Sequence, residues 1–392
     1  MKFLDLILKQ ACKAGESVCG DYFLSERIRG AQIYVLCDGI GSGAYANIAA
    51  IYHANRLMEL LRSDVALQDA CRLLTEAMHR ARTEEVPYAA FSVFRILPDG
   101  NFVGYTYEAP RPLLIQEGHA RVMAAQRYEA GAEMFYEYSG ILFQGDQILL
   151  YSDGVTQAGM GKGIRFGIGE EKIAEYFNLM IPIAEDCTSH QGWEDIMEDL
   201  MAYVRTLCGG EDEDDVTAAA ICCREGRSMV IATGPPSVKE KDELMAKRFA
   251  AFQGTRAICG SSTIDILSHL LHLNVNKSAA PPSLLYPPEY EVEGVDFASE
   301  GAIMLNQTLN LLADDPAEFY LGSPVEMLCT YLHEHDCITF LLGMAVNRSY
   351  PEMMFRQLGM HPRFEVVELL AEALERMGKW VSIERYCAAA PL

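Results

Sequence analysis

The chain has 392 residues, of which 50% are hydrophobic and 22% charged, with a formal net charge of −23. This length accommodates two domains of ordinary size, and the acidic excess argues against nucleic acid or an anionic membrane as a partner. No apolar run approaches the roughly 20 residues that span a membrane. The N-terminal apolar stretch is broken by Asp5 and Lys9, so a first strand is expected there. Twelve cysteines without paired Cys-x-x-Cys spacing indicate reduced thiols in a cytoplasmic protein without structural zinc.

The first half of the chain alternates between strand and helix patterns. Ser42 is a suitable N-cap for a helix whose apolar residues, including Ile48 and Ile51, recur at helical spacing, and 65–82 predicts a second helix. Strand patterns follow at 89–97, 102–107, 112–116, 120–124 and 147–152. Asp99-Gly100 between two of them predicts a hairpin turn. The order of elements alone predicts a mixed α/β fold.

Four aspartates lie in short motifs that contain Gly or Thr. The motifs are Cys19-Gly20-Asp21-Tyr22, Leu36-Cys37-Asp38-Gly39-Ile40-Gly41-Ser42-Gly43, Leu150-Tyr151-Ser152-Asp153-Gly154-Val155-Thr156 and Asp214-Asp215-Val216-Thr217. In three of them a run of strand-forming residues ends or begins at the acid. The pattern therefore places carboxylates at strand ends, where they can converge.

Converging carboxylates repel one another, so such a group is stable mainly when a divalent cation neutralises it. Oxygen ligands without His or Cys favour Mg²⁺ or Mn²⁺ over zinc. A glycine directly after Asp38 and after Asp153 permits a sharp turn that brings a carbonyl close to the same ion. Two such ions, roughly 3.5–4 Å apart, activate a bridging water and clamp a phosphoryl group. The motifs together therefore predict metal-assisted hydrolysis of a phosphoester, although Asp-Gly taken singly is more often a turn.

The four motifs resemble those of the PPM-type metal-dependent protein serine/threonine phosphatases. The resemblance includes Gly145-Asp146 before the third motif and the segment Gly15–Val18 before the first. The sequences of the motifs are most similar to those of the bacterial branch named after the stage II sporulation protein E. The resemblance covers residues 1–224 and implies an α-β-β-α sandwich. It also implies two Mn²⁺ or Mg²⁺ ions and a phosphoprotein substrate, and it assigns roles to seven residues. Asp38 would bridge the metals, the Gly39 carbonyl would bind one of them, Asp21 would lie on one side and Asp153 and Asp214 on the other, and Asp215 and Gly154 would support these ligands.

Two features qualify the resemblance. Residues 155–213 form an insertion that is rich in glycine at its start and has a predicted helix around 193–207, and in the family this region is a variable flap beside the active site. Many eukaryotic relatives carry a phosphate-binding arginine near the N-terminal strand, whereas this chain offers only Lys9 and Lys13 there. Substrate recognition is then expected to rest on the metals, the flap and a second domain.

Residues 228–392 are predicted to form a second α/β domain of unknown role, with strands at 230–232, 256–259, 337–342 and 379–383 and a Pro-rich loop at 280–288. In it, Gly260-Ser261-Ser262-Thr263 joins a strand to an apolar helix. This stretch is either an ordinary helix cap or a site for a phosphorylated small molecule. His333-Glu334-His335 is interpreted as a polar helix end rather than a metal pair, because i, i+2 spacing separates the imidazoles.

Two alternatives to a protein phosphatase stay open at this point. One is a signalling switch with weak activity, gated by a partner or by a ligand of the second domain. The other is a phosphatase of a small phosphorylated metabolite. The sequence carries no signal of oligomeric state.

Overall fold

The computed structural model describes residues 2–83, 88–131, 133–184, 189–277, 287–319, 323–345 and 359–387. The chain divides into two compact units, Lys2–Glu225 and Gly226–Leu392. Most of the predicted Pro-rich loop at 280–288 lies outside the described residues. Among the described helices, none combines the length and the apolar character needed to cross a membrane.

The first unit contains eleven described strands and five described helices. The strands are β1 (Lys2–Ala11), β2 (Asp21–Ile28), β3 (Ala31–Gly39), β4 (Ala89–Ile96), β5 (Asn101–Tyr107), β6 (Leu113–Gln116), β7 (His119–Val122), β8 (Gln126–Ala130), β9 (Glu133–Ile141), β10 (Gln147–Tyr151) and β11 (Val216–Glu225). The helices are α1 (Gly43–Arg62), α2 (Leu67–Thr83), α3 (Asp153–Thr156), α4 (Gly169–Met180) and α5 (His190–Leu207). Asp99-Gly100 turns between β4 and β5, as the sequence predicts.

These strands form two antiparallel sheets, ordered β2-β3-β4-β5-β9-β8 and β1-β11-β10-β6-β7. Three apolar cores separate four layers: α1 and α2 pack on the first sheet, the two sheets pack on each other, and α4 and α5 pack on the second sheet. The α-β-β-α sandwich expected from the resemblance is confirmed.

The space between the two sheets changes character along its length. Its middle is filled by apolar side chains that alternate along the strands, such as Leu36 on β3, Leu150 on β10 and Ala219 on β11. Because side chains of one strand face point the same way at every second residue, Asp38, Ser152 and Thr217 continue these rows. Polar side chains therefore replace apolar ones between the sheets at one end of the sandwich.

Within the segment 155–213, α4 and α5 bury Phe177, Trp193 and Leu200 against the second sheet. Helix α5 covers the predicted helix around 193–207, and the Gly-rich start of the segment precedes α4. One local expectation changes in the structure. Ser42 stands at the N-cap of α1 without a side-chain capping bond, because its hydroxyl donates to Glu16 instead (3.3 Å).

The second unit contains a parallel sheet and a small hairpin. Its described strands are β12 (Ser228–Thr233), β13 (Thr255–Cys259), β14 (Val275–Lys277), β15 (Tyr290–Val292), β16 (Phe297–Ser299), β17 (Cys337–Gly343) and β18 (Trp380–Tyr386). Its described helices, numbered onward in chain order, are α6 (Asp242–Ala250), α7 (Ser261–Leu271), α8 (Ala302–Leu311), α9 (Pro324–Glu334) and α10 (Arg363–Arg376). Strands β14 and β15 pair with each other, and β16, a strand of the parallel sheet, was not predicted.

The parallel sheet has the order β16-β13-β12-β17-β18. Helices α6 and α7 pack on one face, and α8, α9 and α10 pack on the other. The strand order runs outward in both directions from β12, which is the doubly wound arrangement. The sequence-based prediction of an α/β layer is confirmed and now has a topology.

Candidate metal centre

Asp21 and Asp38 lie directly opposite each other in the β2–β3 pair. Opposed residues of an antiparallel pair have Cβ atoms about 4.5–5.5 Å apart on the same face, and like charges there destabilise the sheet. Asp21 is 2% exposed. The first two predicted metal ligands are thus held together by strand register and aimed into the polar end of the space between the sheets.

Asp153 and Asp214 approach from the second sheet. Strand β10 ends one residue before Ser152, and α3 begins at Asp153, while β11 begins two residues after Asp214. Since β10 and β11 are antiparallel and Tyr151 pairs with Ala218, both acids lie at the same end of the sheet. A Cβ at Gly154 would lie 2.1 Å from the Asp215 carbonyl oxygen, so only glycine permits this close approach. Gly154 therefore brings α3 against the segment that carries Asp214.

Electrostatic interactions connect the four carboxylates in series, with Asp38 between Asp21 and Asp153. Burial raises the pKa of Asp38, and the charges of Asp21 and Asp153 raise it further. Burial also raises the pKa of Asp21, and burial followed by the charge of Asp214 raises the pKa of Asp153. Asp38 lies within hydrogen-bonding reach of both Asp21 and Asp153. Besides burial, neighbouring carboxylate charge therefore disfavours ionisation of Asp38 and of Asp153, a cost that a cation would remove.

The surroundings of Asp21 test whether a cation fits. The hydroxyls of Ser152 and Thr217 lie close enough to favour its ionised form. Within the part of the chain that the structure describes, however, neither Asp21 oxygen has a hydrogen bond of normal geometry. A buried carboxylate without partners is costly, and a divalent cation would satisfy it. The donor set fits a hard cation.

Three polar residues around Asp21 were not singled out in the sequence. The Ser152 hydroxyl accepts from the Thr217 amide (3.0 Å), and Gln10 donates to the Thr217 hydroxyl (2.9 Å) and to the Asp21 carbonyl (3.2 Å). Gln10 thus ties β1, β2 and β11 together below the carboxylates. Ser152 and Thr217 stand within two predicted motifs, so the alternation of their strands was the available signal, whereas Gln10 offered none.

Glycine also fixes the first sheet against α1. A Cβ at Gly39 would lie 2.0 Å from the Ala46 carbonyl oxygen and 2.5 Å from its carbonyl carbon. Helix α1 therefore packs backbone to backbone on the strand end that carries Asp38. The Gly39 amide donates to the Gly20 carbonyl (3.2 Å), which joins the two motifs of the first sheet.

Asp215 has a supporting position. It is buried, and its Oδ1 accepts from the Lys13 amide (3.0 Å), which anchors the loop after β1. Donor atoms of Asp215, Cys12 and Cys19 lie within 4.8 Å of one another. Thiols suit soft cations rather than Mg²⁺, so this trio is distinct in chemistry from the aspartate chain. Among the described residues, the four aspartates form no such compact trio of their own, because they are strung out around Asp38.

The other singled-out residues lie elsewhere. Lys9 bonds Glu194 (3.4 Å) and Glu198 (2.9 Å) on α5. In the second unit Gly260 lies between β13 and α7, and Ser261, Ser262 and Thr263 are the first residues of α7. His333 and His335 end α9 with their ring nitrogens on Leu312, Tyr331 and Thr255 oxygens, as hydrogen-bonded polar groups.

A family model described as "Stage II sporulation protein E (SpoIIE)" matches residues 29–224, half of the chain. The chain belongs to this family. Asp38, Asp153 and Asp214 of this SpoIIE family member lie inside the matched range, and Asp21 lies before it. Its first unit, Lys2–Glu225, contains the whole matched range. No curated protein matches the chain.

Two solved structures are similar to part of this chain. The PP2C phosphatase domain with a fragment of the regulatory domain of SpoIIE from Bacillus subtilis is 18% identical, with a TM-score of 0.48, and the match covers 57% of this chain and 64% of that one. The RsbU and RsbW domains of Rv1364c from Mycobacterium tuberculosis are 19% identical, with a TM-score of 0.46, over 63% and 67% of the two chains. This SpoIIE family member thus spans less than two thirds of the first of these chains.

Proposed function

We propose that the first unit hydrolyses phosphoserine and phosphothreonine in a regulatory phosphoprotein, using two Mn²⁺ or Mg²⁺ ions and water. Asp38 would bridge the two ions, and the Gly39 carbonyl would bind one of them. Asp21 would complete the site on one side, and Asp153 and Asp214 on the other. Membership of the SpoIIE family and the α-β-β-α sandwich support the reaction class, and the aspartate geometry supports the roles.

The observation that carries the proposal is the pairing of Asp21 with Asp38. Two carboxylates face each other at the end of a buried core, and the more buried one has no hydrogen-bond partner among the described residues. Such an arrangement destabilises a metal-free fold by charge repulsion and desolvation. It is accounted for if these groups hold divalent cations.

The protein's own groups would prepare the site for catalysis. Bound there, the ions would supply a water of lowered pKa and positive charge for the phosphoryl oxygens. Gln157 donates to the Oδ2 atom of Asp153 (2.6 Å) and so orients this carboxylate. The Asp215 amide similarly orients Asp214 by donating to its Oδ1 (3.0 Å).

The neighbouring cysteines favour water over an enzyme thiolate as the nucleophile. Cys37 precedes Asp38, but its side chain belongs to the core between the first sheet and α1. Burial is the first cause that raises the pKa of the thiols of Cys19 and Cys37 well above the ordinary value. A thiol must ionise to attack, so neither is suited to a covalent mechanism.

Exposed apolar side chains beside the site favour a protein as the substrate. Ile40, one residue beyond Gly39, is 48% exposed, and Tyr45 in the first turn of α1 is 78% exposed. Large apolar side chains left in solvent beside a functional site are typical of protein contact surfaces. A small phosphorylated metabolite would not need them.

The test is hydrolysis of p-nitrophenyl phosphate and of a phosphoserine peptide by the full chain, with MnCl₂, with MgCl₂ and with EDTA. Asp38→Asn should lower metal-dependent turnover by more than about 100-fold, since losing even an indirect support of a metal ligand costs 10–100-fold. Asp99→Asn, at the Asp-Gly hairpin turn, is the matched control and should keep full activity. Metal-dependent turnover that survives in Asp38→Asn would refute the assignment.

A further inference from the structure

The carboxyl edge of the parallel sheet in the second unit is lined by glycine. Gly234 follows β12, Gly260 follows β13, Gly301 is the N-cap of α8 after β16, and Gly343 ends β17. Thr233, Cys259 and Ser299 lie side by side in register, so the residues that follow them leave the sheet about 5 Å apart. In doubly wound sheets ligands bind beyond this edge, near the strand where the order reverses. Here that strand is β12.

Two helices begin close together at this edge. A Cβ on Gly301 would lie 3.4 Å from the Gly260 Cα, so the N-termini of α8 and α7 adjoin. Neither helix has a side-chain cap or an acidic residue in its first turn. The first amides of a helix carry partial positive charge and lack partners within the helix. Two adjoining uncapped N-termini therefore leave several donors facing one place.

Thr263 supplies an independent sign of a ligand there. The residue is 2% exposed, yet its hydroxyl has no hydrogen-bond partner in the described part of the chain. The hydroxyl faces the turn before α7, since it lies 3.3 Å from the position of a Cβ on Gly260. Leaving such a group unpaired costs free energy. A bound acceptor would complete it.

Arg363 brings a cation to the same edge from the N-terminus of α10. Its Nη1 would lie 1.5 Å from a Cβ on Gly234, so the guanidinium occupies the space that this glycine leaves open. Within the part of the chain that the structure describes, Arg363 donates one hydrogen bond, to the Gly343 carbonyl (3.4 Å), and forms no ion pair with a carboxylate. Burial lowers the pKa of Arg363, as expected for a cation without a counter-charge. Glu300, beside Gly301, accepts from the Tyr290 hydroxyl (3.4 Å).

We infer that this edge binds the phosphate group of a small molecule. The amides at the starts of α7 and α8 and the Thr263 hydroxyl would donate to its oxygens, and Arg363 would neutralise its charge. A phosphate fits better than a carboxylate, because several donors and a guanidinium suit a doubly charged group with three or more free oxygens. The site is independent of the aspartates of the first unit.

The test is calorimetric titration of the full chain in EDTA with ADP, with pyrophosphate and with inorganic phosphate, using sodium chloride to match ionic strength. EDTA removes phosphate binding through metals at the aspartates. We expect saturable binding of at least one probe. The set of probes that bind shows which part of the ligand is recognised. Binding of ADP alone indicates a nucleotide, and binding of all three probes indicates recognition of the phosphate itself.

Matched variants locate the binding. Arg363→Met should weaken it by about tenfold or more, and Thr263→Val by several-fold, because each removes a donor to an anion. Arg376→Met at the far end of α10, Thr308→Val on α8 and Asp38→Asn should leave it unchanged. Thr263→Val, which removes only a hydroxyl, decides the matter if Arg363→Met does not fold.

Three results would overturn the inference. The first is no saturable binding of any probe at concentrations up to about 10 mM, which is weaker than any useful affinity. The second is equal binding by the wild type, Arg363→Met and Thr263→Val. The third is loss of binding in Asp38→Asn, which would place the anion in the first unit.

Discussion

Replacing Asp38 with Asn should make the protein more stable than the wild type without metal and less stable than the wild type with metal bound. Asp38 lies between the carboxylates of Asp21 and Asp153, and burial, followed by these two charges, raises its pKa. A group whose pKa is raised by folding contributes stability below its unfolded pKa and loses it as pH rises through the folded pKa. At pH 8 the wild-type protein therefore carries most of this penalty, which the amide removes.

The size of the effect follows from the lost cost of burying a charge and from the two lost repulsions. Each pKa unit corresponds to about 1.4 kcal/mol, and protonation limits the penalty, so we expect a gain of about 1–3 kcal/mol in EDTA. For a unit of this size each kcal/mol is about 2–4 °C in Tm. Saturating Mn²⁺ at a thousandfold excess over Kd would stabilise the wild type by about 4.1 kcal/mol. The variant should gain much less, so the order of stabilities reverses.

Tryptophan fluorescence can follow the relevant unit. The chain has two tryptophans, Trp193 and Trp380, one in each unit. In a Trp380→Phe background the buried Trp193 reports unfolding of the unit that carries the aspartates. Thermal melts with EDTA and with MnCl₂, with Asp99→Asn as control, give the comparison. The reasoning fails if Asp38→Asn melts below the wild type in EDTA, or if Mn²⁺ shifts both proteins equally.

Two further predictions concern the same end of the sandwich. Gly39→Ala should destabilise the first unit by about 1–3 kcal/mol in urea unfolding, the usual cost of overpacking, because α1 must move to clear the 2.0 Å approach to Ala46; an unchanged midpoint would contradict this packing. In EDTA the Tm of the wild type should fall between pH 5 and pH 9 more steeply than that of Asp38→Asn, because raised carboxyl pKa values make ionisation unfavourable in the fold. Parallel pH profiles would show that Asp38 does not carry the penalty.

The aspartates could be anticipated because each motif couples a strand pattern to an acid at its end. Strand periodicity then determines which neighbours share a face, and the sandwich brings those faces together. Gln10 could not be anticipated, because its role depends on the pairing of β1 with β11, whose strands lie about 200 residues apart in sequence. Local pattern carries no information about such a partner.

Helix α1 shows how a correct element can have part of its buried face misassigned. Its periodicity was predicted from Ile48, Ile51, Leu57, Leu60 and Leu61, and Leu57 and Leu61 are indeed buried. Nearer the N-terminus, however, Ile48 is 63% exposed and Ile51 36% exposed, while Ala46, Ala50 and Ala54 are buried. Small residues permit this half of the helix to lie close to β3, so alanines rather than isoleucines pack there. Likewise β16, with only three residues, was too short to recognise.

The pairing of Asp21 with Asp38 has a consequence for insertions and deletions. The β2–β3 hairpin turns at Arg29 and Gly30, both at positive φ, several residue pairs away from the acids. A longer turn would leave the opposed carboxylates in place, because the strands beyond it keep their alignment. One residue gained or lost within either strand would instead point one carboxylate to the opposite face of the sheet. Length changes should therefore be tolerated at the tip of this hairpin and abolish cation binding in its arms.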